Sequence, residues 1–140
     1  MKKNLVFIIS VVLLLTACAS SDETYWGLSA TFTHDNNTLF GTKEKFGVIK
    51  TNGESNEPEF PVGQGRQYRV YFLDDIKDLN GKKYKMMATH KDSNETVNLY
   101  ENEIQNMQSD AKFGLNKGGL WKIDVLIDGD EFTSFIVEAR

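Results

Sequence analysis

The chain has 140 residues, 16 Lys and Arg against 20 Asp and Glu, a net charge of −4 and a single cysteine. This balance excludes the basic surface that nucleic acid or anionic lipid head groups would require, and a lone thiol excludes an internal disulfide. A domain of this size must therefore rest on one hydrophobic core.

Lys2 and Lys3 precede an apolar run from Leu5 to Leu15 and then small residues, the three-part pattern of a secretory signal. The run is too short to span a bilayer permanently, which takes about 20 apolar residues. It ends in Leu15-Thr16-Ala17-Cys18, which is similar to the bacterial lipobox, whose cysteine becomes the first residue of the mature chain. The resemblance implies a cleaved signal peptide over 1–17, a diacylglycerol thioether on Cys18 and an acyl group such as palmitate on its new amine. It thereby implies a lipoprotein held on the extracytoplasmic face of the cell membrane. Two or three chains suffice for stable anchoring, since each buried methylene contributes about 0.8 kcal/mol. Loss of Lys2 and Lys3 leaves 14 basic against 20 acidic residues, a mature charge of −6. Residues 18–27 form the lipidated N-terminus and a short polar tether, reaching at most about 3.5 Å per residue, and 28–140 form one domain.

From there the apolar pattern has period two. Strands are predicted at Leu28–Thr33, Lys45–Lys50, Gln67–Leu73, Lys83–Thr89, Thr96–Tyr100 and Trp121–Ile127. Glu101–Met107 is predicted as a helical turn, with Ile104 and Met107 on one side. Asn52-Gly53, Asn80-Gly81 and Asp128-Gly129 read as turns of the primed hairpin type. Centring a hairpin on Asp128-Gly129 pairs Val125 with Phe132, Ile123 with Ser134 and Trp121 with Ile136. That register places Leu120, Leu126, Phe135 and Val137 on the outer face, either covered by the segment around Trp26 or exposed as an interaction patch. The fold class expected is all-β, an immunoglobulin-like antiparallel β-sandwich, with a small β-barrel as the alternative.

Several landmarks recur together in a known group. Asp110-Ala111 leads to Gly119-Leu120-Trp121, then the Asp128-Gly129 turn and a last strand from Phe132 to Glu138. Phe46-Gly47-Val48-Ile49 and Tyr68–Phe72 stand upstream. In these features the chain resembles a family of uncharacterised Bacillus-type lipoproteins, although that family often carries tryptophans where this chain has Tyr68, Tyr71 and Phe72. The resemblance implies an immunoglobulin-like sandwich and supplies no activity.

No catalytic constellation is legible. His34 and His90 are the two histidines, and neither a Gly-x-Ser-x-Gly elbow nor a Ser-x-x-Lys box is present. Asp74, Asp75 and Asp78 precede Asn80-Gly81, but the order of a calcium loop would put Ile76 at its first ligand position, so the loop reads as a solvated turn. Met86, Met87 and His90 are weak candidates for copper(I); alternation puts Met86 with His90 on one face and Met87 on the other, which favours a core role. Gly118-Gly119 precedes a strand, whereas a phosphate-cradling loop opens a helix. No cofactor is expected. The leading expectation is a non-enzymatic module binding a protein or another envelope component. A metal or small-ligand carrier and an envelope hydrolase without a recognisable motif are the alternatives.

Overall fold

The computed structural model describes residues 24–140; Cys18 and the signal sequence lie outside the described residues. Among the described residues nine strands follow in chain order: β1 Phe32–His34, β2 Asn37–Thr42, β3 Phe46–Lys50, β4 Arg66–Phe72, β5 Lys83–His90, β6 Thr96–Glu103, β7 Gln108–Phe113, β8 Gly119–Ile127 and β9 Asp130–Ala139. They form two antiparallel sheets, one of five strands in the order β1-β2-β3-β4-β7 and one of four in the order β6-β5-β8-β9. The sheets pack as a sandwich and do not close into a barrel. Apart from β1 and β2, the order is that of the immunoglobulin sandwich, strands A-B-E facing C′-C-F-G.

Alternation drives this packing. Tyr84, Met86 and Ala88 on β5 and Trp121, Ile123 and Val125 on β8 are at most 1% exposed, and they face Tyr68, Val70 and Phe72 on β4. An aromatic stack of Phe60, Tyr68 and Phe113, with centroids 5.6 and 4.2 Å apart, fills the first sheet's side of this interior. Tyr84 donates across the gap to Ser109 Oγ at 2.7 Å, so its hydroxyl enters the core already paired.

The structure corrects the sequence expectations in four places. First, β1 starts at Phe32, so Leu28–Thr31 is not strand, and β2 and β7 are additional strands. Second, Glu101–Met107 is not helical: β6 runs to Glu103, and Asn106 and Met107 take φ of 53° and 55° as the chain crosses between sheets. Ile104, fully buried, is the plug of that crossing. Third, two of the Asx-Gly signals close no tight hairpin: Asn52-Gly53 lies in the long loop between β3 and β4 with only Gly53 at positive φ, and Asn80-Gly81 serves the same crossing. Gly81 N donates to Ile104 O, Ile104 N to Lys82 O and Met107 N to Asn80 Oδ1, at 2.7–2.8 Å.

The fourth concerns the last hairpin. Asp128 and Gly129 do take positive φ (49° and 85°), as a primed turn requires. A bulge follows: Leu126 pairs with Glu131 but Val125 pairs with Thr133, leaving Phe132 as the extra residue. Every later residue of β9 is thereby turned over. Phe135 and Val137 pair with Ile123 and Trp121 and are 3% and 2% exposed in the core, while Leu120 and Leu126 are half-buried on the opposite face. The four-residue outer patch expected from sequence therefore does not exist. Ile136 takes the outward position and is covered by the N-terminal segment. Ser29 N donates to Ile136 O at 3.1 Å, and Ile136 N donates to Ser29 Oγ at 2.9 Å.

Phe135→Glu should consequently lose at least about 4 kcal/mol, because it buries an unpaired carboxylate. Leu126→Glu, on the other face, should change stability by no more than about 1 kcal/mol. Urea unfolding of both variants checks the assignment; equal effects would restore the bulge-free register.

Candidate functional site

His90 ends β5 and is 6% exposed. Its Nε2 lies 2.8 Å from the Gly118 carbonyl, which can only accept, so Nε2 carries the proton. Nδ1 is then the acceptor, 2.9 Å from Ser93 Oγ and 3.2 Å from Ser93 N. Trp121 packs 4.8 Å from the imidazole and donates its Nε1–H to Lys117 O at 2.9 Å. The Lys117–Glu95 ion pair, 2.6 Å, joins the same two loops. His90 thus pins the β5–β6 turn to the loop before β8, with both nitrogens engaged.

The set Ser93, His90, Gly118 carbonyl has the order of nucleophile, base and orienting acceptor. Ser93 Oγ, however, also accepts from Glu95 N at 3.3 Å, and Ser93 N donates to the same imidazole nitrogen. These are the bonds of a closed turn.

The other sulfur and nitrogen candidates are not brought to His90. Met86 is fully buried between the sheets, and Met87 is half-buried on the opposite face of β5. Among the described residues no three His, Cys, Asp or Glu side chains are grouped to hold a metal ion. His34 lies 3.3 Å from Asp35 Oδ2 at the rim of an open cleft of about 470 Å³ that includes Asp74, Asp75 and Asp78. Asp74 and Asp78 each accept the backbone N–H two residues on, at 3.0 Å. They are turn-forming residues, as the sequence suggested.

The outer face of the four-stranded sheet mixes apolar and charged side chains. Met87 and Leu126 are half-buried diagonal neighbours there, Met87 opposite Asp124 and Leu126 opposite Lys85, and Lys83 and Lys85 pair in register with Glu103 and Glu101. A shallow cleft of about 670 Å³ runs over these residues and reaches the Asp128-Gly129 turn. Beside it Lys122 and Asp124 lie 3.5 Å apart, and burial pushes the Asp124 carboxyl above its usual range.

Sequence reasoning missed the strongest electrostatic feature. Glu57, in the loop between β3 and β4, accepts both prongs of the Arg66 guanidinium (2.7 and 2.8 Å) and the Lys50 ammonium (2.8 Å). Arg66 first and Lys50 second hold its carboxyl down at about 2. Gly53, with φ 89°, passes so close that a Cβ there would strike Glu57 Oε1. Neighbouring Glu59 accepts Lys50 N, yet burial pushes its carboxyl upward. The Asn52-Gly53 signal marks the loop, but nothing in the spacing identifies the three partners.

The Glu57 clamp stabilises the fold fully above the carboxyl's ordinary 4.5, and its contribution is lost as pH falls through about 2. Glu57→Gln should be less stable at pH 7 and show a shallower loss between pH 5 and pH 2. Urea midpoints across that range test this; parallel curves for the two proteins would refute it.

Scanning against protein-family models finds no match, and neither does a search of curated proteins. Among solved structures, the fold is similar to the crystal structure of a "putative lipoprotein" from Bacillus anthracis. That similarity has a TM-score of 0.68 at 16% identity and covers 84% of this chain and 88% of the other. At that identity the likeness establishes the shared sandwich.

Proposed function

We propose that the chain is a bacterial lipoprotein, anchored through lipid on Cys18 at the extracytoplasmic face of the membrane, and that its sandwich is a non-enzymatic binding module for a protein or another envelope component. The observation that carries the anchor is Leu15-Thr16-Ala17-Cys18, placed directly after Lys2-Lys3 and an apolar run. The fold shared with the Bacillus anthracis "putative lipoprotein" supports it. With Cys18 acylated the mature chain keeps no free thiol.

The binding role rests on Met87, Leu126 and the charged residues around them, carried on a rigid sheet. The carrier reading has less support, since His90 spends both nitrogens on its own turn and Met86 is sealed in the core. The hydrolase reading would rest on Ser93 and His90, whose bonds the turn geometry already explains.

Intact mass spectrometry of the full chain, expressed in a bacterium and extracted from its membranes, tests the anchor. The expected product begins at Cys18 and carries a diacylglycerol and acyl increment, while Cys18→Ala leaves an unlipidated chain. A cleaved product with an unmodified thiol would refute the reading.

A further inference from the structure

Among the described residues, three large apolar side chains stand well exposed: Tyr25 at 85%, Leu28 at 59% and Ile76 at 92%. Ile76 sits within the acidic loop of Asp74, Asp75 and Asp78. The other two share the short N-terminal segment whose Ser29 is fixed to β9. Between them Gly27 lacks a side chain, and the Tyr25 ring lies against its backbone, where a Cβ would come within 2.5 Å of the ring. Tyr25, Gly27 and Leu28 line one surface cleft, and Trp26, between them in the chain, is half-buried.

Their place in the chain selects the partner. Tyr25 is seven residues beyond Cys18, so even a fully extended tether leaves it within about 25 Å of the anchoring residue. The clip at Ser29 prevents further unwinding from lengthening that reach. Tyrosine and tryptophan favour the membrane–water interface, where an apolar ring is buried and a polar tip stays wet. The mature charge of −6 gives no electrostatic attraction to anionic lipid, so contact must be apolar.

We infer that Tyr25 and Leu28 enter the interfacial layer of the bilayer, giving the domain a second membrane contact that fixes its orientation. This rests on the lipid anchor proposed above. The two membrane contacts would bracket the tether, holding the edge of β9 toward the lipid and leaving β6 on the far side of its sheet.

The test uses lipidated protein, its mass verified, reconstituted into phosphatidylcholine vesicles with bromine at shallow acyl positions, with tryptophan emission as the readout. Trp26 should be quenched and fully buried Trp121 spared, giving partial quenching. Tyr25→Ser/Leu28→Ser should lose most of that quenching with an unchanged melting temperature, because both side chains are exposed. Unquenched emission from verified lipidated protein would overturn the inference and leave the anchor standing, as would undiminished quenching in the double variant. Protein without lipid would overturn the anchor itself and this inference with it.

Discussion

One residue's worth of slack in the last strand governs much of this molecule. Because Phe132 has no partner on β8, β9 changes phase immediately after the Asp128-Gly129 turn. Phe135, Val137 and Ala139 then join the interior, and Phe135 packs 5.7 Å from Phe46 of the opposite sheet. The same change of phase sends Ile136 outward, where an apolar side chain needs a cover. The segment before β1 supplies it, and Ser29 takes the Ile136 N–H and C=O, which this edge strand would otherwise offer to another chain. Phe132 itself is not wasted: it lies 6.4 Å from Phe72 with the Lys45 ammonium over its ring at 4.9 Å.

The interior so closed contains no covalent cross-link. Polar groups that enter it arrive already paired: Tyr68 with Glu59 O at 2.8 Å, Tyr84 with Ser109, Trp121 with Lys117 O. No buried side-chain nitrogen or oxygen among the described residues lacks a partner. Burial drives the Tyr84 hydroxyl up to about 12, so it remains a neutral donor throughout the physiological range. Each of these bonds also fixes a loop or a facing strand, which is how a sandwich without a disulfide aligns its sheets.

The sequence discloses the parts of this arrangement that repeat with period two. β4 and β5 each present three apolar residues on one face and β8 presents four, and their strands fall close to where alternation puts them. β9 is different, because Phe132, Phe135, Ile136 and Val137 offer apolar side chains in both phases, and only the bulge chooses between them. Ile104 and Met107 have helical spacing, yet they flank a left-handed crossing that is fixed by Asn80 and Lys82, more than twenty residues earlier in the chain. β2 hides in the same way: Leu39 and Phe40 are adjacent, and the Asp35-Asn36 turn with φ of 45° and 64° was the available cue. For the site, the proposed lipobox at Leu15–Cys18 is a local signal and legible. The diagonal placement of Met87 and Leu126 and the Glu57 clamp arise from strand register and loop closure, which no local window contains.

The Ser29 clip has a mechanical meaning. Tension applied to the chain ahead of the domain bears first on the two hydrogen bonds between Ser29 and Ile136, at the edge strand β9 of the four-stranded sheet. Behind them stands β1, three residues long and paired only with β2, so further load peels the border of the five-stranded sheet. A tug on the N-terminal side therefore bears first on one edge strand of each sheet, β9 through the clip and β1 through its pairing with β2, before it bears on the central strands β4, β5 and β8.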